Sequence, residues 1–280
     1  MSRPRAPRDR RRDPRDRART TRDRARAIHD RPTASRRYQI EGRHPVAEAL
    51  RAGRPIQEIL LASQSKPAKI LDEIADLAGR AGVRIREVTN REIDERSRTR
   101  APQGVIAVVP PFDYSSLEKV LARLDDATGP ALLVALDEVT DPQNFGAIAR
   151  SAEAAGAHGV IIGRRRAAPV TAAVEKSAAG ALAYLPVAQV PNLPRALEEL
   201  KERRIWVVSL DGEATRTIYD LDVATEPLCI VVGSEGKGVS RLVRDRADLS
   251  VRIPMSGQVE SLNASAATAI ALFEIARQRR

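Results

Sequence analysis

From Tyr38 onward, short apolar runs alternate with amphipathic stretches, the pattern of strands interleaved with helices. Pro45 to Arg51 has helical periodicity and stops at Gly53, and Ile56 to Ala62 reads as a strand. Ile70, Ile74, Leu77 and Ala78 lie on one helical stripe, Val83 to Val88 alternates as a strand, and Gly104 to Val109 is a buried-strand run. Together they predict a compact α/β unit over residues 38–111. From Pro110 to Pro130, Pro, Asp, Ser and Gly surround a short helical pattern, which reads as a linker with a boundary at residues 112–128.

The alternation resumes over residues 129–280. Strands are expected at Leu132 to Leu136, Val160 to Gly163, Ile205 to Leu210, Leu228 to Val232 and Val251 to Pro254. Helices are expected at Phe145 to Ala155, Ala172 to Leu182, Leu193 to Arg203, Val239 to Arg246 and Leu262 to Arg279. Such an order predicts a mostly parallel sheet covered on both faces, with ligands gathering at the carboxyl ends of its strands. The last helix carries Leu262, Ala266, Ile270, Phe273 and Ile275, apolar enough to pack on its own sheet or on a second subunit.

Charge changes this picture at one end only. Residues 1–37 hold fifteen Arg and five Asp, so the net +10 of the chain lies there and the remainder is neutral. With almost no large apolar side chains, that Arg-rich tail is read as disordered and suited to a phosphate backbone. Arg164, Arg165 and Arg166, the densest basic cluster of residues 129–280, and the loop Arg96, Arg98, Arg100 are further candidate RNA contacts, the alternatives being an ordinary exposed turn and a solvated loop. The single cysteine, Cys229, lies in an apolar run and reads as a buried reduced thiol, and no apolar run approaches the roughly 20 residues of a membrane span. A cytoplasmic protein is expected.

Candidate chemistry sits in three loops, each following an expected strand. In the first, Asp137-Glu-Val-Thr-Asp-Pro-Gln-Asn144-Phe-Gly146-Ala-Ile-Ala-Arg150, either Asn144 or Asp141 can cap the next helix, and Arg150, six residues on, is read as facing the same side as Asn144. The second, Gly233-Ser-Glu235-Gly236-Lys237-Gly238, is a glycine-rich turn in which Glu235 places an acceptor. It is no phosphate loop, because Val239 and Ser240 follow where Lys and Ser/Thr are required, and no Gly-x-Gly-x-x-Gly occurs. In the third, Met255 to Ala266, Ser261 or Asn263 can cap the final helix.

Asn-Phe-Gly-x-x-x-Arg, then Gly-Ser-Glu-Gly-x-Gly, then Ile-Pro-Met-x-Gly-x-x-x-Ser-Leu-Asn-x-Ser resemble, in order, the three motifs of the SpoU/TrmH branch of SPOUT RNA 2′-O-ribose methyltransferases. Upstream, Gly42-Arg-His44-Pro-Val-Ala-Glu-Ala-Leu50 and Gln103-Gly104-Val-Ile-Ala107 are similar to the small L30e-like RNA-binding domain of that family. Glu175-Lys176-Ser177-Ala-Ala-Gly180, Asn192-Leu193 and Ile205-Trp206 resemble the RlmB group, which methylates a guanosine ribose of 23S ribosomal RNA.

The resemblance implies an L30e-like domain joined to a SPOUT α/β-knot methyltransferase domain whose C-terminal part forms a trefoil knot. It implies S-adenosyl-L-methionine held by backbone around Gly233, Ile253, Met255 and Leu262, with no metal. It implies a homodimer through the knot and final helix, and ribosomal RNA as partner, tRNA being the alternative. Asn144, Arg150, Glu235, Ser261 and Asn263 become the expected catalytic set, with Arg150 as clamp on the developing alkoxide and the others as positioning groups. A non-catalytic RNA-binding descendant is disfavoured because all five are present.

Overall fold

The computed structural model describes residues 38–65, 67–99, 101–259 and 261–280. The expectations for the Arg-rich tail and for Arg100 lie outside the described residues.

The first domain is a four-stranded sheet in the order β1 (Tyr38–Glu41), β4 (Val105–Val109), β2 (Glu58–Ala62), β3 (Ile85–Val88). β4 runs antiparallel to both neighbours, Ile59 facing Ala107, while β2 and β3 are parallel. Helix α1 (Arg43–Arg51) and helix α2 (Lys69–Arg80) pack against it, α2 burying Ile74 and Ala78. Helix α3 (Asn90–Arg96), which the hydrophobic pattern does not announce, is capped by the Thr89 side chain. Glu41 is fully buried, and its carboxylate accepts from the Arg98 and Thr99 amides at 2.6 and 3.1 Å and from the Ser97 hydroxyl at 2.8 Å. The loop after α3 is fastened to the sheet by this one acid.

The second domain is a seven-stranded sheet in the order β7 (Val187–Val190), β6 (Gly159–Gly163), β5 (Leu132–Leu136), β10 (Leu228–Val232), β8 (Trp206–Leu210), β11 (Leu249–Arg252), β9 (Arg216–Thr217). Every pairing in it is parallel, as expected. Along β5, Leu132, Val134 and Leu136 enter one core while Leu133 and Ala135 enter the other. The two-residue period of a strand buried on both faces accounts for the unbroken apolar run.

Helices cover both sides. Helix α5 (Pro142–Ala154), helix α6 (Ala172–Ala178) and helix α9 (Ala264–Gln278) bury side chains in the first core. Helix α7 (Leu193–Glu202) and the short helix α8 (Arg241–Arg244) bury theirs in the second. The short helical pattern expected between Pro110 and Pro130 is helix α4 (Leu117–Ala122), which buries Leu117, Val120 and Leu121 in that second core, and Ser115 N–H donates to Val187 O at 2.9 Å.

Helix α6 stops four residues short of the expected Leu182. Ala179 adopts φ 51° and Gly180 φ 102°, so the chain leaves the helix in a left-handed turn before a 3₁₀ turn at Ala181–Ala183. Along helix α9, Ala264, Thr268, Ala271, Leu272 and Ile275 are buried, whereas Ile270 and Phe273, and Leu262 just before the helix, remain exposed.

Candidate active site

Helix α5 begins where Asp141 Oδ2 accepts from Asn144 N–H at 3.0 Å, with Pro142 in the first turn. Asp141, not Asn144, is therefore the cap, and the Asn144 side chain is free for other bonds. Gly146 lets α5 approach α6 closely: a Cβ there would lie 2.4 Å from Ser177 Cβ and 2.6 Å from Val174 O.

Loop 233–240 folds back on itself, Ser234 and Gly238 exchanging backbone hydrogen bonds at 3.1 and 2.9 Å. A Cβ on Gly233 would sit 2.0 Å from the Gly238 carbonyl carbon, so this position requires glycine. Gly236 and Gly238 take φ 78° and 65°, where glycine is also favoured. Asp137, buried at the end of β5, fixes the loop's far side: its amide donates to Val232 O at 2.8 Å and its Oδ2 accepts from Ser240 N–H at 2.7 Å.

Three of the five expected catalytic residues meet. Asn144 Nδ2 donates to Glu235 Oε1 at 3.0 Å, Asn263 Nδ2 donates to Asn144 Oδ1 at 2.9 Å, and Asn263 Nδ2 also reaches Glu235 Oε1 at 2.5 Å. Asn263 Oδ1 meanwhile caps α9, accepting from the amides of Ser265 and Ala266 at 2.9 and 3.2 Å. Each of the three residues comes from a segment following a different parallel strand, so the cluster lies at the carboxyl end of the sheet. Glu235 is an acceptor for two amides and caps nothing.

Arg150 does not share a face with Asn144. Six residues leave them about 120° apart on a helix, and Asn144 is buried whereas Arg150 is exposed. Arg150 forms no ion pair among the described residues, which leaves its guanidinium open to a ligand. Ser261 is exposed and makes no hydrogen bond to the cluster.

The segment expected to hold a cofactor follows β11. In residues 254–259, 261 and 262 no backbone N–H or C=O bonds to another described residue, and Met255 and Leu262 are exposed while Ile253 packs on the first core. Free backbone donors and acceptors beside apolar side chains fit a ligand recognised through the main chain.

Two cavities flank these elements. One of about 310 Å³ lies at the carboxyl ends of β5 and β6, lined by Asp137, Glu138, Arg165, Arg166, Asn192 and Leu242 among others. Glu138 and Arg166, paired at 2.8 Å, both hold left-handed backbone there, φ 56° and 59°. The other, about 620 Å³, lies in the first domain and includes Arg43, His44, Gln64, Asn90, Asp94 and Gln103. Its wall is shaped by Gln103 Oε1 accepting from Arg43 N–H at 3.1 Å.

Sequence reasoning missed Asp137, a lone acid after a strand whose partner is 103 residues away. It also missed Glu41, whose role depends on a loop that only the fold brings near. Cys229 is buried as expected, and burial pushes its thiol far up, which makes it inert.

A fully parallel α/β sheet with a glycine-closed loop and a polar cluster at its strand ends, preceded by a small four-stranded α/β unit with an amide-lined cavity, has the layout of an α/β protein with its ligand site at the strand carboxyl ends. The chain belongs to the SpoU rRNA methylase family, which matches residues 131–273, and its first domain matches the RNA 2′-O ribose methyltransferase substrate-binding family over residues 39–115. It is 47% identical over 239 residues to a Mycobacterium ulcerans protein named an uncharacterized tRNA/rRNA methyltransferase, covering 85% of this chain and 76% of that one. A Mycobacterium leprae protein of similar name is also 47% identical over the same share of this chain and 77% of its own. Among solved structures, the SpoU methyltransferase AviRb of Streptomyces viridochromogenes in complex with AdoMet superposes with a TM-score of 0.72 at 29% identity, over 86% of this chain and 90% of that one. An AdoMet-bound rRNA methyltransferase of Sinorhizobium meliloti gives 0.68 at 27% identity, over 87% and 88%.

Proposed function

We propose that this RNA methyltransferase transfers a methyl group from S-adenosyl-L-methionine to the 2′-hydroxyl of one guanosine in 23S ribosomal RNA. The observation carrying the reading is the Asn144–Glu235–Asn263 cluster at the strand carboxyl ends, beside a segment of unbonded backbone. Backbone around Gly233, Ile253, Met255 and Leu262 holds the cofactor. When bound, S-adenosyl-L-methionine supplies a methyl on a positively charged sulfur, open to attack by a ribose oxygen.

The residues of this chain do the rest. A neutral hydroxyl is a poor nucleophile, so as the O–C bond forms and the S–C bond breaks to leave a neutral thioether, charge developing on the 2′-oxygen must be stabilised while its proton passes to water. Arg150 stays protonated at any physiological pH, which makes it a clamp for the alkoxide and the neighbouring phosphate and not a base. Asn144 and Asn263 lock Glu235 and so hold two loops in one arrangement, with Ser261 at the mouth of the site orienting the ribose.

RNA affinity comes from Arg164, Arg165 and Arg166, beside the smaller cavity, and from the amide-rich cavity of the first domain. The exposed Ile270 and Phe273 of α9 form the face for a second copy of the chain, and the segment after Gly233 threads an earlier loop as a trefoil knot. The protein works in the cytoplasm, where its RNA is. Ribosomal RNA is favoured over tRNA because the two-domain likeness extends over 87% of the chain to a structure described as an rRNA methyltransferase. Mapping 2′-O-methyl groups in ribosomal RNA and tRNA from cells lacking the protein tests this. One missing guanosine mark in 23S RNA is expected, and a missing tRNA mark with intact 23S RNA contradicts it.

A further inference from the structure

The motif Glu175 to Gly180 plays no part in the chemistry above, yet it is among the most tightly engaged segments of the fold. Helix α6 presents one face to the first domain. Glu175, with its side chain 6% exposed, accepts from Arg54 Nη1 through both carboxylate oxygens, at 2.9 and 3.1 Å. Arg54 also lies over the Phe112 ring, 5.5 Å from its centre, and Phe112 meets Tyr114 edge-on. Lys176 Nζ donates to Ala101 O at 2.7 Å and to Thr99 Oγ1 at 3.2 Å. Just beyond the helix, Gly180 lies against the Glu48 side chain, and Tyr184 donates its hydroxyl to Glu48 Oε2 at 2.8 Å.

The opposite face of α6 touches the helix of the active site. Gly146 of α5 has no room for a Cβ against Val174, Ser177 and Ala178, and Ser177 Oγ donates to Gln143 O at 2.8 Å. Gln143 immediately precedes Asn144. One seven-residue helix therefore joins the substrate domain to the residue at the centre of the polar cluster.

The loop that receives Lys176 is equally fixed. Thr99 is one of the groups bound to the buried Glu41 carboxylate, so Lys176 grips a loop that is already anchored to β1. The chemistry of the central pair points the same way. Burial pushes the Glu175 carboxyl up, and Arg54 draws it part of the way back. Buried ion pairs of this kind fix geometry more than they lower energy.

We infer that Arg54 and Glu175 are positioning residues, docking the substrate domain on α6 so that its RNA cavity stands at one set distance from the Asn144 cluster. The two domains then act as a ruler, and the methylated ribose is the one that reaches the cluster when RNA occupies the first domain. This rests on the reading that the first domain binds substrate RNA.

The test uses the full chain with Arg54→Glu, Glu175→Arg and the double exchange of both. Each single reversal sets like charges together in a buried site, and breaking such a pair is costly enough to release the dock. We expect KM for 23S RNA to rise at least about tenfold, with stray 2′-O-methylation at riboses the wild type leaves alone. S-adenosylmethionine affinity by calorimetry stays at the wild-type value, and the double exchange restores both KM and the single site. Tyr184→Phe, which loses only the hydroxyl bond to Glu48, shifts KM the same way by about threefold and guards against misfolding of the reversed variants. Wild-type KM and an unchanged methylation map in the single variants, or no recovery in the double exchange, overturn the inference. Failure of the wild-type protein to methylate RNA would instead count against the proposed function.

Discussion

Asn263 does two things with one amide group. Its oxygen caps α9 and its nitrogen bonds Asn144 and Glu235. Asn263→Asp separates the roles, because the carboxylate still caps while losing both donors and facing Glu235. We expect a melting temperature within a few degrees of wild type, since the cap of about 1 kcal/mol is kept, but methyl transfer at least about tenfold lower. A variant with wild-type turnover would show that the amide donors are dispensable. Glu41 gives a second prediction. Burial pushes its carboxyl up, but hydrogen bonds from Thr99, Arg98, Gln39 and Ser97 outweigh burial and hold it below its ordinary 4.5. Its stabilisation is present above that value and lost as pH falls through the lower, folded one. Melting curves between pH 6 and pH 3, taken as about the carboxylate range, should therefore drop less steeply for Glu41→Gln than for wild type. At this scale the sequence showed the members of the cluster as motif residues but could not show their bonds. Arg150 was misplaced because a spacing of six residues resembles two turns until it is multiplied by 100° per residue.

At the scale of elements, hydrophobic period found nearly every helix and central strand. It failed where the element was too short to have a period. β9 has two residues and β7 four, and both lie at sheet edges without the long apolar run of a strand buried on both faces. The short helical pattern expected between Pro110 and Pro130 is α4, but its six residues could not show that its three apolar side chains enter the core of the parallel sheet. Helix packing was legible only as a glycine. Gly146 reads in sequence as a point of close approach at a first turn, and the structure identifies α6 as what approaches it. Gly146→Ala forces those helices apart by the difference between 2.4 Å and a normal carbon contact. A loss of about 1–3 kcal/mol is expected in chemical denaturation, together with lower methyl transfer, because Asn144 moves with α5. Unchanged stability would mean that the helices separate freely.

For the whole molecule, the parallel sheet and the order of the site loops are legible in the alternation of apolar runs and in the three loop motifs. What the sequence could not show is that the domains are fastened together through α6, since Arg54 and Glu175 are 121 residues apart. The charge of the chain belongs to this scale too. With the net +10 confined to residues 1–37, their deletion should weaken RNA binding and flatten its dependence on salt, while leaving S-adenosylmethionine affinity alone. An identical salt slope in filter-binding measurements would remove the tail from the RNA interface.

The central claim is that the Asn144–Glu235–Asn263 cluster and the adjoining backbone serve 2′-O-methyl transfer. It is tested most directly by incubating the purified full chain with methyl-labelled S-adenosylmethionine and 23S RNA, then digesting the RNA to nucleosides. Label on 2′-O-methylguanosine is expected with wild-type protein, and little or none with Asn144→Ala. Label on a base, or equal labelling by the variant, would contradict the claim.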